Sequence, residues 1–168
     1  TAAALSDTTV VLDGSRVSGT SLLLIARGAK VALDPTALQR ANASHDVLLA
    51  VARAGNPIYG LTVGVGLNKD KGLFQPNGDW TTECLEASRT FQRQLLRSHA
   101  AGVGAPLPIE TVRLAMAIRL NCLLVGCGGV SPDVLTATLA CLNHRVTPVV
   151  PSVGTIGEAD ILLMAHVG

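Results

Sequence analysis

Aromatic side chains are nearly absent: one Trp, one Tyr and two Phe amount to 2% of 168 residues. The chain is still 48% hydrophobic, so its core must be made of Leu, Val, Ile and Ala. So few rings leave little to stack on bases. Lys and Arg form no run, and 13 basic residues against 12 acidic ones give a net charge of only +1. Nucleic-acid binding is therefore excluded. No cysteine pair has the C-x-x-C spacing. Cys84, Cys122, Cys127 and Cys141 are expected as buried free thiols, with no metal. Long apolar runs are missing too. Leu22-Leu23-Leu24-Ile25-Ala26 falls far short of the roughly 20 residues of a membrane span. The start, Thr1-Ala2-Ala3-Ala4-Leu5-Ser6-Asp7, lacks a basic segment followed by an apolar one. No membrane association and a cytoplasmic location are expected.

Mean hydropathy is nonetheless +0.42, high for a soluble domain. Partner chains are the expected cover for the excess apolar surface, in a homo- or hetero-oligomer. The length suggests a single domain.

The local pattern is mainly helical. Residues 9–12 and 30–33 read as short strands around a helix that starts at Ser18 or Thr20 and ends at Gly28. Asp34 or Thr36 caps a long helix ending near Ala54. This gives a small N-terminal lobe and first long helix over residues 1–55. Residues 56–79 carry glycines at 60, 64, 66, 72 and 78 and show no period. A loop of that length in a compact domain is usually functional or disordered. Residues 80–168 read as part of a helical bundle. One helix spans about 81–100, with Leu85, Phe91, Leu95 and Leu96 on one side. After a connector at 102–108, a helix over 109–125 is apolar nearly all round, as at a bundle centre. A third is capped by Ser131, carries Pro132 at its first position and runs to Asn143. Residues 147–157 read as extended or loop, and a last apolar helix begins near 159. It stops at His166-Val167-Gly168, so another chain or segment is expected to continue the bundle.

Three segments carry a likeness in order and spacing. They are Tyr59-Gly60-Leu61-Thr62-Val63-Gly64-Val65-Gly66, then Phe91-Gln92-Arg93-Gln94-Leu95-Leu96-Arg97-Ser98-His99-Ala100-Ala101-Gly102-Val103-Gly104, then Val112-Arg113-Leu114-Ala115-Met116-Ala117-Ile118-Arg119-Leu120-Asn121. Together they resemble the N-terminal portion of histidine ammonia-lyase and its phenylalanine and tyrosine relatives. Ser98-His99 is more like the histidine enzymes. The resemblance implies a tetrameric helical fold, an amino-acid substrate and a methylidene-imidazolone electrophile made from an internal Ala-Ser-Gly. It implies Tyr59 as the base at the β-carbon, with residues 56–79 as the active-site loop. A phenol is a poor base at neutral pH, so that role needs a closed, polarised site. His99 corresponds to the histidine beside the substrate side chain, Gln92 hydrogen-bonds in the same pocket or supports it, and Gly66 lets backbone approach the ligand. Arg119 and Asn121 are expected to serve the fold or an interface, with a carboxylate partner for the arginine.

The likeness breaks at Gly154-Thr155-Ile156-Gly157-Glu158-Ala159-Asp160. The lead-in and the exit match, but Glu158 and Ala159 stand where the triad belongs. Dehydration of the triad's serine makes the methylidene group, so no methylidene-imidazolone is expected here. Glu158 is a candidate general acid or cation anchor; in the first turn of the following helix it would equally suit a cap. Asp160 fits the structural role. Three readings follow: an electrophile-free enzyme performing acid–base elimination, addition, isomerisation or cyclisation with Tyr59 and Glu158; a non-catalytic structural or regulatory subunit; and a conventional ammonia-lyase drawing its electrophile from another chain. Mass spectrometry of the peptide spanning 154–161 is expected to give its unmodified mass. A peptide lighter by lost water would mean that the electrophile forms after all.

Overall fold

In a computed structural model, residues 8–73, 81–155, 157 and 161–168 are described. The strand β1 (Thr9–Leu12) and the strand β2 (Lys30–Leu33) pair in parallel, Thr9 opposite Lys30 and Leu12 opposite Leu33. Helix α1 (Gly19–Ala26) makes the crossover. Ser18 caps it, its side chain accepting from the Ser21 N–H at 3.0 Å. Gly28 ends it at φ 103°, a left-handed conformation suited to glycine. Helix α2 (Pro35–Arg53) starts at Asp34, whose carboxylate accepts from Ala37 N–H at 2.9 Å. Of the alternative caps, then, Ser18 and Asp34 do the capping.

Three longer helices follow the loop: α3 (Thr82–His99), α4 (Ile109–Leu123) and α5 (Pro132–Asn143). The strands β3 (Val103–Pro106) and β4 (Pro151–Val153) pair antiparallel, and the short helix α6 (Ile161–Met164) comes last. The fold is thus mainly helical, with a strand–helix lobe at its start. The segment at 102–108, expected as a connector, holds β3. Its sequence, Val-Gly-Ala-Pro, is fully exposed and has no alternation to reveal a strand. The last helix is shorter than expected, giving way to a turn after Met164.

Helix α4 is the pivot, packed mainly on α1 and α5. Val112, Met116, Ala117 and Leu120 are buried on it and join Leu12, Ile25, Leu135 and Leu142 in one aliphatic core. Each fully buried leucine contributes about 1.5–3 kcal/mol. The helix is not enclosed all round, however: Ile109, Ile118 and Arg119 are exposed. Arg119 has no carboxylate partner among the described residues. The buried arginine is Arg113, and carbonyls hold it. Its Nε donates to Ile25 O and Ala26 O at 3.2 Å, and its Nη2 donates to Ile25 O at 3.0 Å. Burial, and then the positive charge of Arg145, push this guanidinium below its ordinary pKa. Two thiols also depart from expectation: Cys122 and Cys127 are exposed, while Cys84 and Cys141 are half-buried.

Two asparagines complete the backbone bonding. Asn143 accepts from Val31 N–H at 2.8 Å and donates to Val31 O at 2.9 Å, so its amide takes a neighbouring strand's place at the edge of β2. Asn121 accepts from Gly14 N–H at 3.0 Å and donates to Ser15 O at 2.7 Å, holding the turn after β1 on α4. Its structural role is as expected. In urea titrations, Leu120→Ala is expected to cost about 2–5 kcal/mol through the cavity it leaves. Asn121→Ala should cost about 1–3 kcal/mol through unsatisfied backbone groups. Both should move the midpoint without changing the slope.

Candidate active-site cleft

Residues 56–73 are a knot of turns rather than an unstructured loop. Thr62 is buried at 3% exposure and organises them. Its hydroxyl accepts from Ile58 N–H at 2.7 Å and donates to Asn56 O at 3.3 Å, and its carbonyl accepts from Leu73 N–H at 2.9 Å. Single bridges link Val63 to Tyr59 and to Gly72. At Gly64 a Cβ would lie 2.5 Å from Asn68 O, so only glycine allows this fold-back. The lack of sequence period reflects bonding by turns and one hydroxyl, not an absence of order.

This knot presents Tyr59 to the outside, 64% exposed. The Gly66 N–H donates to its phenol oxygen at 2.9 Å. The oxygen is the acceptor in that bond, so its own hydrogen stays available to a ligand. Gly66 has φ 55°, and the space where its Cβ would stand is open. Gln92, on α3, donates from Nε2 to Gly60 O. It therefore fastens the loop, and it does not line the cleft described next. Of its two expected roles, support is the one its bond serves.

A cleft of about 1290 Å³ opens beside the loop. Tyr59 and Gly66 stand on its wall with Ser98 and His99 of α3. His99 Nδ1 bonds Leu95 O at 2.8 Å. A carbonyl only accepts, so Nδ1 is the donor, and in the neutral ring Nε2 keeps its lone pair. The helix-end bond and a ligand-binding role are thus compatible in one ring. Leu96, Val134, Ile161 and Met164 make much of the rest of the wall apolar. Arg119 also lines it, a placement that sequence pattern did not suggest, since nothing in a helical period distinguishes a cleft from bulk solvent. No Asp or Glu lines the cleft among the described residues. Glu158 and Asp160 lie outside the described residues, although Ile161, which follows them, is on the wall. Among the described residues no group of three or more His, Cys, Asp or Glu is arranged to hold a metal. No helix there is long and apolar enough to cross a membrane.

Gln92→Leu removes the bond to Gly60 while leaving α3 apolar enough to fold. Limited proteolysis within residues 60–73 is expected to quicken several-fold, with the core helices unaffected. Equal cleavage rates would show that Thr62 and the bonds within the loop hold the knot without Gln92.

The aromatic amino acid lyase family model matches residues 18–168. Histidine ammonia-lyase of Stigmatella aurantiaca is 34% identical over 157 residues, covering 92% of this chain and 29% of the relative. The human histidine ammonia-lyase is 31% identical over 94% of this chain and 23% of the relative. The ergothionase of Treponema denticola, solved with desmethyl-ergothioneine sulfonic acid, superposes with a TM-score of 0.85 at 32% identity. It matches 95% of this chain and 30% of its own. Tyrosine aminomutase of Streptomyces globisporus gives 0.82 at 27% identity over 95% of this chain and 28% of its own. The chain therefore spans less than a third of the length of these relatives, and it belongs to the aromatic amino acid lyase family.

Proposed function

We propose that this chain is the N-terminal part of an ammonia-lyase-like enzyme that acts on an amino-acid-like substrate without a methylidene-imidazolone. The observation that carries the reading is the cleft wall, where the Tyr59 phenol and the His99 imidazole face one space. The stretch from Gly157 to Asp160 contains no serine to dehydrate, so its residues do not fit the electrophile. The nearest hydroxyls are committed to other settings. Ser152 lies in β4, and Thr155 accepts from Gly157 N–H at 3.0 Å.

In this reading Tyr59, once its phenol has given up its own hydrogen, takes a proton from the substrate carbon as the phenolate, its oxygen held in place by the Gly66 N–H. The lone pair on His99 Nε2 receives a donor on the substrate side chain. Gln92 keeps the loop on α3. Glu158 supplies the assisting acid or binds the substrate's ammonium group. Elimination and isomerisation by this route begin with such a proton transfer, and addition, the reverse of elimination, ends with the proton returned to carbon. Relatives on related folds are named as ammonia-lyases, an ergothioneine-degrading ergothionase and a tyrosine aminomutase.

The assembly is part of the proposal. A cleft of about 1290 Å³ exceeds the roughly 300–1,000 Å³ of small-molecule pockets. In this reading other protein fills part of it, in a homo- or hetero-oligomer with a chain supplying the C-terminal part of the fold. A conventional histidine-type ammonia-lyase is the second reading, favoured by the identity to histidine ammonia-lyases.

Turnover of histidine, phenylalanine and tyrosine by the assembled protein should be followed by ammonia release and by product chromatography. Tyr59→Phe is expected to lower kcat roughly 10²–10⁴-fold, the usual contribution of a positioned base. Unchanged turnover in Tyr59→Phe defeats the mechanism. No turnover in the wild-type assembly hands the case to a non-catalytic subunit.

A further inference from the structure

The chain leaves α3 at His99 and reaches β3 through three residues. Gly102, the last of them, donates its N–H to Nε2 of His166 at 3.2 Å. The surroundings leave no slack. A Cβ on Gly102 would stand 3.2 Å from His166 Nε2, from Leu163 Cδ2 and from Pro151 Cβ. A Cβ on Gly154 would stand 3.0 Å from the Gly102 Cα. The end of α3, the end of β4 and the segment after α6 thus meet at one backbone point.

The link from that point back to His99 is equally short. Ala100 N–H donates to Leu96 O at 2.9 Å, and Ala101 N–H donates to His99 O at 2.7 Å. A shift of Gly102 is therefore transmitted to His99 rather than absorbed by a flexible connector. The Gly102 N–H is half-buried, and leaving such a donor unpaired costs free energy, so the backbone would move to find another acceptor.

We propose that His166 is a positioning residue for the cleft: by accepting the Gly102 N–H, its imidazole sets where His99 stands. This rests on the reading above in which His99 touches substrate. The required form of His166 is the neutral ring with its proton on Nδ1, because Nε2 is the acceptor. A glutamine oxygen can take the same N–H; a phenylalanine of similar size cannot.

The test uses the assembled, complete protein. His166→Phe should raise KM about tenfold by misplacing His99, while His166→Gln should return KM to near the wild-type value. In a His99→Ala background, His166→Phe should add no more than about twofold, since its route to the substrate is gone. Equal effects of Phe and Gln, or effects that add in full to those of His99→Ala, would overturn the inference. If His166→Phe does not fold, His166→Met makes the same comparison. A His99→Ala variant with unchanged KM would instead remove the site reading itself, and this inference with it.

Discussion

The fold hangs on a buried guanidinium. Two parallel strands joined by one eight-residue helix are too small to stand alone. They become stable by lying on α4, and the contact that makes this possible is Arg113 on the last carbonyls of α1. Ile25 O also accepts from the Gly28 N–H at 3.0 Å, and the guanidinium adds donors to it and to Ala26 O at this buried helix end, where the next turn that would supply them is missing. A cation at a helix C-terminus also faces the favourable end of the dipole. The arrangement carries a cost, since Nη1 of Arg113 has no hydrogen-bond partner among the described residues and the positive charge of Arg145 is near. Replacing the arginine by an aliphatic residue would relieve that cost but remove its donors to Ile25 O and Ala26 O, which packing alone does not replace.

Much of this architecture was legible in the sequence because it rests on local rules. Ser18, Asp34, Gly28 and Pro132 mark helix ends through side-chain acceptors and backbone geometry, which act within a few residues. The apolar period of 109–125 showed where the core lies. What was not legible depends on partners distant in the chain. Arg113 and Arg119 are six positions apart on one helix, yet α1 covers the first and the second is exposed; sequence alone led to the second. The strand at 103–106 exists only because 151–153 lies beside it.

The site was legible in a different way. Tyr59, Gly66 and His99 stood out through a family pattern, and the three now line one cleft. Pattern did not reveal that the Gly66 N–H is bonded to the Tyr59 phenol, nor that Gln92 is bonded to the loop's backbone rather than facing the cleft. Both contacts join groups whose relation is fixed by the knot around Thr62, a residue with no distinguishing mark beyond its buried place among glycines. Stability and function are shared there. A loop bonded by one hydroxyl and a few turns can be rigid enough to aim a phenol and still expose it.

Exposure of that phenol carries the last step. A phenol base gains from a site closed to water, and a side chain 64% exposed does not have one in this chain alone. The apolar wall of the same cleft, with Val134, Ile161 and Met164 open to solvent, has the same deficit. Both are met by one addition, a further protein surface laid over the cleft. It would bury the exposed Leu96 of α3 as well, a helix with only Ser88 buried here. The elements that need cover for stability and the residue that needs cover for chemistry lie on the same face. In the proposed enzyme, assembly and activation would therefore be the same event.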